Sequence, residues 1–227
     1  MNHLSFPQKF HFPKIRGLHH RLRRLPWRKI LIGAAISFGI LCLLFLLFLW
    51  RLIASAPSID AISVSPQESA TYLCDQEGNE VRRLTLAASN RDIVRLDEIS
   101  VYLQNAVIAI EDQRFYEHHG IDTKGILRAF FTGITHGSFS EGASTITQQL
   151  IKNSVFTQWT QEKSFYDRVR RKVQEQHLAL QLEKRMSKEE ILENYLNTVN
   201  FGSGCYGAQA AAKRYFAKDA SSLTLSE

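Results

Sequence analysis

From Ile30 to Trp50 the chain reads ILIGAAISFGILCLLFLLFLW, 21 residues without a charge. A helix rising about 1.5 Å per residue would make this run roughly 31 Å long, which matches a hydrocarbon core of about 30 Å. A core helix of that length usually keeps a polar face, and the apolar stretch of a cleaved leader is usually about 7 to 15 residues. Ala54-Ser55-Ala56 is the one small-residue pattern that follows. The run is read as a retained transmembrane anchor.

Charge gives it a direction. Lys9, Lys14, Arg16, Arg21, Arg23, Arg24, Arg28 and Lys29 precede the span with no acid among them, whereas Arg51 is the one cation in residues 51–70. Cationic flanks stay inside, so the arm is expected in the cytoplasm and residues 51–227 outside, with Trp27 and Trp50 at the two interfaces. The arm also accounts for the formal charge of +6, because the remaining 20 Lys and Arg face 22 Asp and Glu. With no basic, aromatic-interleaved module in the rest, nucleic acid is set aside as a partner. Only 12 Gly, 5 Pro and 3 Cys, with 44% hydrophobic residues, exclude collagen-like, disulfide-dense and disordered chains. Cys42 lies in the span, and spacing alone does not establish a bridge between Cys74 and Cys205.

Residues 1–29 are thus a basic arm, 30–50 the transmembrane helix, 51–95 a stem or linker, and 96–227 a folded domain. In the stem, Thr71–Leu73 and Val81–Leu86 flank Asp75-Gln76-Glu77-Gly78-Asn79 and predict a hairpin. Beyond it the pattern is mainly α. Leu103, Ala106, Val107 and Ile110 form one stripe of a helix that stops near Glu111-Asp112. Asp122 can cap the next helix, THGSFSEGAS reads as a loop beside Phe130 and Phe131 that suggests a lid or membrane contact, and Thr145–Asn153 resumes as helix. A long helix over 165–185 should turn Tyr166, Val169, Val173 and Leu180 to the core and Arg168, Arg171, Lys172 and Glu175 elsewhere. Ser187-Lys188-Glu189-Glu190 fits a capping box before Ile191, and 208–216 makes a further helix.

Singly, the polar clusters have ordinary explanations: a solvated helix end at Glu111-Asp112, a surface pair at Arg171 and Glu175, a cap at Ser144-Thr145. Together, Thr145, Thr147, Gln148 and Gln149 beside a loop, with Lys152, Arg171 and Lys172 lacking a surplus of neighbouring acids, suit a phosphorylated ligand.

The spacing carries more. Glu111-Asp112-x-x-Phe115-x-x-His118-x-Gly120-x-Asp122 is followed by Gly142-x-Ser144-Thr145-Ile146-Thr147-Gln148-Gln149-Leu150-x-Lys152-Asn153. Then come Arg171-Lys172-x-x-Glu175, Lys188-x-x-Ile191-Leu192-x-x-Tyr195-Leu196-Asn197 and Gly207-x-x-x-Ala211-Ala212-x-x-Tyr215-Phe216-x-Lys218. In this order the motifs resemble those of the family 51 glycosyltransferases, which comprise the peptidoglycan glycosyltransferase domains of class A penicillin-binding proteins and monofunctional enzymes. The resemblance covers about residues 70–227.

It implies a mainly α, lysozyme-like bilobal domain with a small β-hairpin lead-in, preceded by one transmembrane helix at the bacterial plasma membrane. It implies polymerisation of the lipid-linked disaccharide-peptide precursor of peptidoglycan, with the nascent glycan strand, the membrane and cell-wall synthesis proteins as partners. Glu111 matches the family's general base and Glu175 its second acid, on the donor side. Ser144, Thr145, Gln148, Gln149, Lys152, Asn153, Arg171 and Lys172 match substrate-binding positions, with Asp112 and His118 in support. Mg²⁺ or Mn²⁺ could add a cation at the diphosphate. Tyr195, Asn197, Tyr215 and Phe216 are read as structural. The 154–170 segment is longer than in compact members, with Lys163 or Arg168 as alternative cations. No serine transpeptidase follows, and the chain stops where a closing helix would begin, which makes it a truncated piece or a short enzyme. The alternatives are a lysozyme-like peptidoglycan hydrolase and a truncated, non-catalytic precursor-binding protein.

Overall fold

The computed structural model describes residues 26–66, 71–84, 91–136 and 142–227. Most of the basic arm, and residues 137–141 of the Gly- and Ser-rich loop, lie outside the described residues. The chain divides into two compact units, 1–48 and 49–227.

The first unit consists of most of helix α1, Trp27–Ala54, which continues through Leu49 into the second. Its 28 residues are exposed almost throughout. It is one helix long and apolar enough to cross a membrane, which fits a single-pass membrane protein. Its last turn belongs to the second unit: Leu52 is buried, and Gln174 Nε2 donates to Leu52 O and Ser55 Oγ, each at 3.0 Å.

The second unit opens with a two-stranded antiparallel sheet. Strand β1, Thr71–Cys74, pairs with β2, Glu80–Leu84, in the register Thr71↔Leu84 and Leu73↔Arg82, with an irregularity at Leu73/Cys74. The turn closes because Asp75 accepts from Asn79 N at 2.7 Å and from Glu77 N at 3.1 Å. No disulfide joins exposed Cys74 to buried Cys205.

Helices α2 (Val101–Glu111), α3 (Thr123–His136), α4 (Ile146–Val155), α5 (Phe165–Leu182), α6 (Lys188–Thr198) and α7 (Ala208–Phe216) follow. This is a mainly α, lysozyme-like domain. Helix α4 is its centre, packed against α5 and α6. Ile146, Leu150 and Ile151 of α4, Leu178 of α5, and Ile191, Leu192 and Leu196 of α6 are fully buried around Phe115. Each such side chain contributes about 1.5–3 kcal/mol. The capping box forms: Ser187 Oγ accepts from Glu190 N at 3.2 Å and Glu190 Oε2 from Ser187 N at 2.7 Å. The end of the chain is tied back through Ser100, whose Oγ donates to Leu223 O at 2.8 Å.

Two expected faces differ. On α2, Leu103 and Val107 pack against the core with Ile108, but Ala106 is exposed and Ile110 is 81% exposed. The core ends before the last turn of that helix, where Ile110 lines an open cavity instead. On α5 the buried residues are Gln174, Glu175, Leu178, Ala179 and Leu182, while Tyr166 and Leu180 are exposed. Gln174 and Glu175 can go inside because their polar atoms are hydrogen-bonded there, which removes most of the penalty of burial.

Candidate active site

Helix α2 ends at Glu111 because Asp112, its C-cap, turns to an extended φ of −159°. Asp112 is buried and is a junction: it takes His118 Nε2 at 2.9 Å on both oxygens and accepts from the backbone N of Ile146, the first residue of α4, at 3.0 Å. The exposed Glu111 carboxylate is thereby carried on a turn pinned to the N-terminus of α4. Gly120 closes the turn at φ +88°, where a Cβ would stand 2.8 Å from the backbone of Ala179 on α5. Its carbonyl accepts from Thr145 Oγ1 at 2.8 Å and from Gln148 Nε2 at 3.3 Å. Thr145 also caps α4 through Gln148 N. Thr145 and Gln148, expected to face substrate, are each 1% exposed and use these groups to build the turn.

Gln149 and Lys152, three residues apart, share the outer face of α4. Gln149 Nε2 donates to Glu111 Oε2 at 2.7 Å, and its Oε1 accepts from Tyr195 OH at 3.2 Å. Tyr195 reinforces the amide orientation that the acceptor-only Glu111 carboxylate already requires. Burial, and secondarily Glu111, push the Tyr195 phenol well above its ordinary range, so it stays a donor.

One turn on, Lys152 Nζ sits 4.5 Å from the Trp159 ring centroid, and the Arg171 guanidinium lies 6.0 Å from the same ring. Glu175, 0% exposed, pairs with Arg171 Nη1 and with Lys172 Nζ at 2.9 Å. Lys172 Nζ also donates to Ser144 Oγ at 2.6 Å. Ser144 lines a cavity of about 230 Å³ together with Glu111, Asp112 and Arg114. The carboxylate at 111 and the cationic cluster are joined on one side by Ser144 and on the other by the Gln149–Lys152 face.

Electrostatics confirm the crowding. The Lys152 ammonium is held below its ordinary value, by burial first and then by Lys172 and Arg171, against the opposing pull of Glu175 and Glu111. At the far wall Asp122 caps α3 through Gly125 N at 2.9 Å and pairs with Arg114 at 2.5 Å. Burial would raise that carboxyl, but Arg114 and the Gly125 N–H outweigh it and hold it low.

The cations are less unopposed than the sequence suggests. Arg171 Nε also donates to both Glu162 oxygens at 2.9 Å, so Arg171 lies between two acids. Glu162 and Trp159 carry no motif that would have marked them, since the Gly/Pro-poor 154–164 segment reads only as a connection. Tyr195 stands in a motif and reads as structural, but its hydroxyl bonds Gln149. Asn153 turns away from the cluster and lines a second groove with Trp159. Both Glu175 oxygens are bonded to protein cations, and among the described residues no three His, Cys, Asp or Glu converge.

A mainly helical domain thus presents a carboxylate at a helix end, braced by an amide and a phenol, beside a cluster of Lys and Arg. The family model described as Transglycosylase matches residues 77–227, and the chain belongs to that family. It is 42% identical over 185 residues to penicillin-binding protein 1A of Clostridium perfringens, covering 80% of this chain and 26% of that protein. Over 159 residues it is 45% identical to penicillin-binding protein 1F of Bacillus subtilis, covering 70% and 21%. Penicillin-binding protein 1A/1B of the same organism is 38% identical over 197 residues, covering 86% and 19%. The chain spans about a quarter or less of the length of these relatives.

Proposed function

We propose that the chain is a peptidoglycan glycosyltransferase that polymerises a lipid-linked disaccharide-peptide into glycan strands. Family membership supports the reaction class. The observation that carries the assignment of roles is the α4 face, on which Gln149 holds Glu111 at 2.7 Å while Lys152, one turn away, joins Arg171 and Lys172.

Glu111 takes the proton of the acceptor sugar hydroxyl as its oxygen bonds to the donor's anomeric carbon. The bond from that carbon to the diphosphate oxygen breaks, the electron pair leaves with the polyprenyl diphosphate, and the anomeric centre inverts. Lys152, Arg171 and Lys172 stabilise the charge that develops on the leaving group. Glu175 orients Arg171 and Lys172 and keeps their charges at short range, and Asp112 and His118 hold the turn that carries Glu111. The step uses protein cations and is not routed through Mg²⁺ or Mn²⁺. Outward orientation is part of the proposal and rests on the basic residues before the anchor. Leu127, Phe130, Phe131 and Ile134 form one exposed apolar stripe on α3, a suitable contact for the lipid carrying the substrate.

The test is polymerisation of the lipid-linked precursor by the purified chain. Glu111→Gln is expected to lower the rate by about 10²–10⁴ while retaining precursor binding. Polymer formation at the wild-type rate by that variant removes Glu111 from the role of base. Cleavage of preformed peptidoglycan without a diphosphate donor would replace the reading with a hydrolase.

A further inference from the structure

Trp159 also borders a second and larger groove of about 810 Å³, lined by residues of the stem, of α4 and of the segment that follows α6. That volume is in the range of small-ligand sites, about 300–1,000 Å³. Its chemistry is distinctive. Trp159 and Tyr206 supply ring surface, the half-buried Asn153 and the exposed Asn200 supply amides, and among the described residues no lining side chain is an acid. Asn200 Oδ1 accepts from Gly202 N at 2.8 Å, which leaves its NH₂ as a donor. Arg91 stands over the Tyr206 ring at 5.4 Å and fixes that wall.

One group is unaccounted for by folding. Thr198, the last residue of α6, is 8% exposed, lines the groove, and its Oγ1 has no hydrogen-bond partner among the described residues. A buried hydroxyl without a partner is destabilising, and Val would fill the same space without that cost. That oxygen has almost no accessible surface, so a ligand hydroxyl or amide in the groove would satisfy it after rotation about the Thr198 Cα–Cβ bond.

We propose that this groove binds the N-acetylated hexosamine units of a glycan strand, as a site separate from the transfer centre. Acetamido groups pair with the donor and acceptor atoms of an Asn amide, sugar hydroxyls satisfy Thr198, and the apolar face of a pyranose covers an aromatic ring. Among the described residues no carboxylate lines the groove, which suits holding sugar rather than cleaving it. Trp159 is shared: Lys152 and Arg171 stand near its ring, and the same residue lines the groove. The strand as natural occupant rests on the transferase reading; the saccharide specificity does not.

The experiment measures binding of β-1,4-linked tetra-N-acetylglucosamine to the full chain in detergent micelles by calorimetry, beside the variants Thr198→Val, Asn200→Ala and Glu111→Gln. The expected result is tetrasaccharide binding weakened at least tenfold by Thr198→Val with Asn200→Ala, retained by Glu111→Gln, and a melting temperature of Thr198→Val no lower than wild type. Binding with no glycan product from the lipid-linked precursor would leave the saccharide site standing and remove the transferase. No tetrasaccharide binding at millimolar concentration, or binding indifferent to both groove variants, overturns the site. So does a free acidic stem-type pentapeptide that binds in a Thr198-dependent way where the tetrasaccharide does not.

Discussion

Tyr195→Phe removes one oxygen from the core and tests whether Glu111 is held or merely present. The hydroxyl, on a residue 3% exposed, donates to Gln149 Oε1 at 3.2 Å, and Gln149 in turn donates to Glu111 at 2.7 Å. An O–H···O bond longer than the usual range is worth at most about 1 kcal/mol net, so the variant should lose about 1 kcal/mol of stability or less, read by urea denaturation. The amide then keeps only its bond to the carboxylate and loses its second anchor, and about 1 kcal/mol of positioning corresponds to roughly a fivefold fall in kcat for polymerisation. The fall should be the same across neutral and mildly alkaline pH, because burial keeps the phenol protonated there. Unchanged kcat would refute the relay from Tyr195 to Glu111. A loss as large as that of Glu111→Gln would also refute it, by showing that Tyr195 holds much more than one amide.

Gly120→Ala forces a side chain onto φ +88° with its Cβ 2.8 Å from the Ala179 backbone. The conformation alone costs about 1–3 kcal/mol and the clash adds to it, so denaturation should show a loss above about 3 kcal/mol; less than about 1 would mean the turn yields freely. For Lys152 the lowered ammonium value works in opposite directions on two readouts. The folded chain releases this proton before the unfolded chain does, so stability rises as pH climbs from the lowered value toward the ordinary 10.5, while pyrophosphate binding falls over the same interval. Lys152→Gln should abolish both changes, and a persisting alkaline loss of binding would assign it to another group. Glu162→Gln releases one of the two acids on Arg171. Inhibition by inorganic pyrophosphate should strengthen about three- to tenfold, and no change would mean that Arg171 does not face the anion.

Helix existence was legible where local chemistry decides it. The stop at Glu111, the Ser187–Glu190 box and the Asp75–Asn79 turn each depend on residues a few positions apart, and each stands where the pattern puts it. Helix facing was legible only where burial is apolar. On α5, periodicity of Tyr166, Val169, Val173 and Leu180 points to one side, but the helix buries Glu175 and Gln174 because Arg171, Lys172 and the last turn of α1 satisfy them. A rule that counts hydrophobic residues cannot see a carboxylate made inexpensive to bury by two cations on its own helix.

The same limit applies to the site. Motif spacing brought Glu111, Gln149, Lys152, Arg171, Lys172 and Glu175 onto the page as candidates, but the bonds joining them span the chain: Gln149 reaches Glu111 across 38 positions and Lys172 reaches Ser144 across 28. Nor does a motif count opposing charge. Glu162 enters from an irregular segment and, with Glu175, leaves Arg171 balanced by two carboxylates, while Lys172 shares Glu175, so the three cations of the cluster face two acids. A cluster of that composition holds a diphosphate less tightly at rest than three bare cations would. Its contribution is greatest as negative charge accumulates on the leaving oxygen, which is where binding raises a rate without trapping the product.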